Sequence, residues 1–310
     1  MVKIRDVIII GVDVGFQYVK GVKEVFPNGV TNLGNAAPSL VENSLFYEGN
    51  YYKVGEGREK ITDSKLNDNN ARLLTMVAIA KELKNKMLTE ADIVLAVGIP
   101  FSNYGKDKAE VVDYYNRTRE LEFMYENTEY HINLIRVLCF PQCYSAIAPR
   151  LTNMVDSDYI VIDIGSKTTD IVYVQKGRPI ESKSLTVELA MIKWLRQIQG
   201  QLQIQYSKDI PEDEILKVIL DEESLLPSEY KNFIRSRVKD QIEELLLELQ
   251  ERGYNLEFTN VIFIGGGAVV VRNYYKQYRS NFYYDFDISA NAKGYEFLAG
   301  TMIERAGDDI

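Results

Sequence analysis

Histidine is almost missing from this 310-residue chain: His131 is the only one. A catalytic triad with spare histidines and a histidine-rich metal site are both excluded, and a lone histidine reads as a surface or strand residue. Cysteine is nearly as scarce. Cys139 and Cys143 flank Pro141, which speaks against a helical metal-binding pair. Two cysteines build no disulfide framework and fit a reducing compartment. No apolar run reaches the roughly 18 residues that a membrane span needs. There is no basic tract and no low-complexity segment. A net charge of −9 argues against direct, non-specific nucleic-acid binding, which needs a basic surface. The opening Met-Val-Lys-Ile-Arg-Asp-Val has no signal-peptide layout, so a cytoplasmic location is expected.

What is present centres on one stretch, Tyr159-Ile-Val-Ile-Asp163-Ile-Gly165-Ser166-Lys167-Thr168-Thr-Asp170-Ile-Val-Tyr-Val174. A β-type run leads into an aspartate, small polar residues follow, and a second aspartate opens another β-type run. The composition predicts strand, tight turn, strand. Glycine at such a turn lets backbone N–H groups approach an anion. An aspartate at the strand end suits hydrated Mg²⁺ on a nucleotide phosphate. An ordinary hairpin with polar turn residues would look the same. The pattern, however, occurs twice: Val7-Ile-Ile-Ile-Gly-Val-Asp13-Val-Gly15-Phe16-Gln17-Tyr-Val-Lys20 repeats it 150 residues earlier. Two similar halves suggest a duplicated fold gripping a nucleotide between them. Lys20 could reach a phosphate as a point charge or simply face solvent.

The remaining segments read as an α/β protein long enough for two domains. Asn70 to Met87 has helical spacing, with Leu73, Leu74, Val77, Ala80, Leu83 and Met87 on one apolar face. Ile93 to Pro100 is a continuous apolar run, as in a fully buried strand. Arg119 to Cys139 alternates as a hairpin. Phe140-Pro141-Gln142 is read as opening a helix, with Pro141 at or before its first turn. Gln142 then sits near a helix start and could orient a water, or could merely be solvated. Ser228 to Arg252 is the longest helical pattern, and Gly253 is in place to end it. Asn260 to Ile264 is a buried strand running into Gly265-Gly266-Gly267-Ala268. Three glycines there would leave backbone open to a flat ligand such as adenine, or form a flexible loop. Ile288 to Gly300 predicts a C-terminal helix whose Ala292, Gly294 and Ala299 allow close packing across a domain junction.

Taken in order, these motifs resemble the ATPase core of the actin, sugar-kinase and heat-shock-chaperone superfamily. Asp13 to Lys20 is similar to its first phosphate motif and Asp163 to Asp170 to its second. Gln142 falls at the first connecting motif, Gly265 to Ala268 at the adenosine motif, and Asn291-Ala-Lys-Gly294 at the second connecting motif. Tyr51-Tyr-Lys-Val-Gly55-Glu, Val97-Gly-Ile-Pro100 and Phe140-Pro-Gln142 make the chain most similar to the bacterial plasmid-segregation actins of the ParM/StbA family. The resemblance implies the duplicated actin/ribonuclease-H-like α/β fold. Domain I would cover residues 1–155, with the helix in 290–310 packing back on it, and domain II residues 156–289. It implies ATP or ADP and Mg²⁺ as ligands, with Asp13 and Asp163 holding the metal through water. Gly15, Phe16, Gln17, Lys20, Gly165, Ser166, Lys167 and Thr168 would bind phosphates, and Gly265 to Ala268 the adenosine.

Several bacterial members carry glutamate where Gln142 stands. Glutamine cannot take a proton, so Gln142 would orient the attacking water, with Asp163 and Asp170 left to accept its proton. The implied activity is ATP hydrolysis coupled to self-assembly into filaments that segregate plasmid DNA through a DNA-binding adaptor protein, with no direct nucleic-acid or membrane contact. A small-molecule kinase of the same fold and a non-polymerising scaffold are the rival readings. Neither a separate peptide-binding domain nor an amphipathic membrane segment is evident.

Overall fold

The computed structural model of the chain describes residues 7–57, 69–277 and 279–306. The opening residues read above for a signal sequence, and the last four of the 290–310 range, lie outside them. Two compact units form. One takes the chain up to Pro149 and again from Ser289; the other is Arg150–Ile288.

In chain order the first unit contains β1 (Ile8–Val14), β2 (Tyr18–Lys20), β3 (Val25–Pro27), β4 (Val30–Gly34), β5 (Ser44–Tyr47), β6 (Asn50–Val54), α1 (Asn70–Lys84), β7 (Glu90–Ile99), α2 (Tyr104–Asn116), β8 (Glu120–Tyr125), β9 (Thr128–Pro141) and α3 (Tyr144–Ile147). The second holds β10 (Asp158–Ile164), β11 (Thr169–Gln175), β12 (Arg178–Pro179), β13 (Leu185–Val187), α4 (Met191–Tyr206), α5 (Glu212–Ile219), α6 (Ser228–Glu251), β14 (Asn260–Ile264), α7 (Gly265–Tyr274) and β15 (Phe282–Asp285). The last helix, α8 (Ala290–Ala306), belongs to the first unit.

The first unit's sheet runs β3-β2-β1-β7-β9-β8-β5-β6-β4, and the second's β12-β11-β10-β14-β15, with β13 also on β11. The same core recurs in both. A first strand pairs antiparallel with its hairpin partner on one side and parallel with a later strand on the other.

Side-chain alternation along β7 explains how one strand serves two layers. Ile93, Leu95 and Val97 enter a core with α1 and α2. Val94 and Ala96 enter another with Tyr295 and Ala299 of α8. In the second unit Ile160, Ile162 and Ile164 of β10 pack with Trp194 of α4, Ile242 of α6 and Val271 of α7. An apolar stripe on α6, from Ile234 to Leu249, is buried. Gly253 follows at φ +92°, a left-handed position that suits glycine after a helix.

The expectation for α1 needs correction. α1 is not one-faced: it is buried nearly all round, Thr75 and Glu82 included, whereas Met87 lies beyond the helix and is 93% exposed. Glu82 is tolerated inside because Oε1 accepts the Lys23 N–H at 2.8 Å. The small residues of α8 serve packing within the first unit. Gly294 is packed so closely on α3 that an added Cβ would lie 1.9 Å from the Ser145 carbonyl oxygen.

That contact separates two glycines of helix interiors. Gly294→Ala should lower unfolding stability by about 1–3 kcal/mol through overpacking. Gly200 of α4 has nothing within 4 Å of its Cβ position, so Gly200→Ala should raise stability by about 0.5–1 kcal/mol. Urea denaturation of the two variants checks both signs.

Candidate functional site

In the first unit, Asp13 is the next-to-last residue of β1 and pairs in register with Lys20 of β2. The Gly15 N–H closes the turn on the Tyr18 carbonyl at 2.9 Å, and a Cβ on Gly15 would come within 2.7 Å of that oxygen. Glycine is therefore needed for the turn itself. Buried Asn28, which sequence reasoning passed over, braces it: Nδ2 donates to the Gly15 carbonyl at 3.1 Å, and its N–H to the Gln17 carbonyl at 3.1 Å. Its only signal was the Pro27-Asn-Gly29 turn cluster.

Asp13 is 2% exposed. Oδ1 accepts from Gln142 Nε2 at 2.7 Å, and Oδ2 faces Lys20 Nζ at 3.3 Å. A buried carboxylate needs such partners to offset desolvation. Gln142 reaches it from the end of β9, not from a helix start. Pro141 is the last residue of that strand, and α3 begins only at Tyr144. The fold thus brings Asp13, Gln142 and Lys20 together, joining residues 129 apart in sequence.

The second unit repeats the turn. The Gly165 N–H donates to the Thr168 carbonyl at 2.9 Å, and a Cβ on Gly165 would meet the same oxygen at 2.9 Å. Asp163 pairs in register with Asp170, where the first unit sets aspartate against lysine. Like charges directly opposite destabilise a ladder. Asp170 is buried, and Thr186 Oγ1 donates to it at 2.5 Å. The Gly165 and Ser166 carbonyls accept the N–H groups of Met191 and Ile192 at 3.3 and 2.9 Å, docking the turn on the start of α4. Phe16, Gln17, Ser166, Lys167 and Thr168 are half-buried at the two turns.

The glycine triplet is not a loop. It forms the first turn of α7. Gly265 has φ +70°, and its Cβ position is 3.4 Å from Asp163 Oδ1. Gly267 is packed on β10, where a Cβ would fall 2.3 Å from Ile164 Cβ. Ala268 is fully buried. Gly267 and Ala268 are therefore small for the unit's own packing, whereas Gly266 is exposed, with open space at its Cβ position.

His131 is exposed on β9, opposite Glu122. Among the described residues no group of three or more His, Cys, Asp or Glu could hold a metal ion, and no helix is long and apolar enough to cross a membrane.

The two sheets and their twin hairpins define a duplicated α/β fold of the actin type, with an aspartate next to last in the first strand of each unit. The chain belongs to the actin-like family. Residues 11–144 match the model of actin-like proteins' N-terminal domain. Residues 161–277 match that of the archaeal actin homologue MreB-like C-terminal domain. No curated protein matches the sequence. Among solved structures, the apo pSK41 ParM protein is 19% identical, with a TM-score of 0.73 over 97% of this chain and 99% of that one. A 15-stranded ParM filament from Clostridium botulinum is 18% identical, with a TM-score of 0.76 over 94% and 99%. An archaeal actin homologue in complex with ADP is 18% identical, with a TM-score of 0.71 over 95% and 99%.

Two residues before Asp13, the Gly11 N–H donates to Glu296 Oε1 of α8 at 3.0 Å. Burial raises the Glu296 pKa above the ordinary carboxylate value, and the Gly11 bond only partly opposes this. A raised folded-state pKa means that folding favours the protonated form. The group's contribution is full below the unfolded pKa, about 4.3, and is lost as pH rises through the folded one. Glu296→Gln keeps an oxygen acceptor and removes the charge. It should be more stable than the parent near pH 7, with the gap closing near pH 4; denaturation midpoints at the two pH values check this.

Proposed function

We propose that the chain is an ATP-hydrolysing, filament-forming actin-like protein. The observation that carries this reading is the twin turn: an aspartate next to last in each first strand, a glycine closing each turn, and Gln142 bonded to the first aspartate. The amides of Gly15 and Gly165 are committed inside the turns. Phosphate binding then falls to the residues that follow them, Phe16 and Gln17 in one unit and Ser166, Lys167 and Thr168 in the other. Turns of this kind present oriented N–H groups to anions.

Asp13 and Asp163 are the carboxylates that would hold Mg²⁺. Coordination through water suits an ion that dehydrates reluctantly. When bound, Mg²⁺ supplies neutralisation of phosphate charge. Gln142, held at Asp13, orients the attacking water, and Asp163 and Asp170 are the groups able to accept its proton. Gly266 leaves room beside the start of α7 for the adenosine. A fold-level likeness to a ParM filament and to an ADP complex supports both assembly and nucleotide use. On this reading the filaments move plasmid DNA through a DNA-binding adaptor, which suits a net charge of −9.

Right-angle light scattering after addition of Mg-ATP, with phosphate release followed in the same sample, tests the proposal. Scattering should rise above a threshold concentration and decay as phosphate appears, and Asp163→Ala should release no phosphate. Phosphate release with flat scattering would remove the filament claim and favour a scaffold or kinase. Parent-level turnover in Asp163→Ala would remove the assignment of Asp163.

A further inference from the structure

The most strained backbone near the candidate site lies at the residue after Gln142. Cys143 has φ +66° and ψ −57°. The Tyr144 N–H donates to the Gln142 carbonyl at 2.7 Å. An i-to-i+2 bond around a central residue with these angles is a classic γ-turn, a rare and strained conformation. Here the central residue is a fully buried cysteine, not the glycine that positive φ favours. Such an outlier persists only where its surroundings over-determine it.

The surroundings are on hand. The Gln142 N–H donates to the Ile99 carbonyl at 2.7 Å, fixing one side of the turn to β7. Ser145 Oγ donates to the Pro141 carbonyl at 2.6 Å across it. The Cys143 N–H donates to Asn291 Oδ1 at 2.9 Å. Asn291 is itself 6% exposed and stands at the start of α8, 148 residues away. It holds the central amide of the turn by its side chain. The turn in turn fixes the direction in which Gln142 leaves β9, toward Asp13 Oδ1 at 2.7 Å.

We infer that Asn291 is a positioning residue for Gln142, acting through the γ-turn at Cys143 so that α8 sets the aim of the water-orienting amide. The inference rests on the hydrolytic role proposed above for Gln142. If Asn291 is lost, the cysteine relaxes toward negative φ and the Gln142 side chain swings off its line. A misplacement of about 1 Å can cost up to about 100-fold in rate.

The experiment compares steady-state ATP hydrolysis by the parent, Gln142→Ala, Asn291→Ala and the double variant Asn291→Ala with Cys143→Gly. Asn291→Ala should lower kcat by about 10- to 100-fold and leave the KM for ATP within about twofold, because no phosphate-binding residue is touched. The double variant should recover most of kcat, since glycine adopts the turn without the tether. A merely structural role for Asn291 predicts no such rescue, because truncating buried Cys143 removes packed atoms and restores none of the contacts Asn291 makes. Amide hydrogen exchange at Cys143 and Tyr144 should quicken in Asn291→Ala and slow again in the double variant. If Gln142→Ala is impaired while Asn291→Ala turns over like the parent, the positioning inference alone fails. The same holds if the double variant stays as slow as the single. If Gln142→Ala itself keeps parental turnover, or the parent releases no phosphate, the hydrolytic role fails and the inference goes with it.

Discussion

One short hydrogen bond, made twice, sets the geometry of this molecule. A glycine two residues past an aspartate near the strand end donates its N–H to a carbonyl three residues on, at 2.9 Å in each unit. The bond turns the chain back on itself within four residues. It places Asp13 in register with Lys20 and Asp163 in register with Asp170 on the returning strands. A side chain at either glycine would collide with the accepting oxygen, so the residue type and the turn are one constraint. The sheets grow outward from these hairpins by the same order of pairing, and the helices cover what the sheets leave apolar.

The two copies have diverged in charge. Lysine stands across from Asp13 and a second aspartate across from Asp163. The first unit therefore has a balanced pair, stiffened by Gln142. The second sets two carboxylates opposite each other on one ladder, which is unfavourable for a sheet, and one of them, Asp170, takes a hydrogen bond from Thr186. Division of labour between related turns is easier to build than two unlike sites, because one backbone serves both.

Much of the architecture is legible in the sequence because it is written at short range. Alternation marks both hairpins and the β8–β9 ribbon, an uninterrupted apolar run marks β7, and a period near four marks α6. The misses share a cause. Helical spacing in 70–87 gave one face, but packing against several strands covers nearly all of α1. Pro141 looked like a helix opener and is the end of a long strand, because pairing with β7 continues to it. The three glycines looked alike and have separate reasons: positive φ at Gly265, open space at Gly266 and contact with Ile164 at Gly267. The Asn28 brace and the Asn291 tether depend on partners 13 and 148 residues away. No local pattern encodes such contacts; they exist only once the sheet registers are set.

The measurement that bears most directly on the paired turns is backbone hydrogen exchange, read by mass spectrometry with and without Mg-ADP. If the two hairpins are one duplicated phosphate-binding device, nucleotide should slow exchange in peptides covering 15–18 and 165–168 together, over the same range of nucleotide concentration. Peptides of the distant β4 and β5 should not change. Protection at only one of the turns, or at neither while nucleotide is bound elsewhere, would contradict the account.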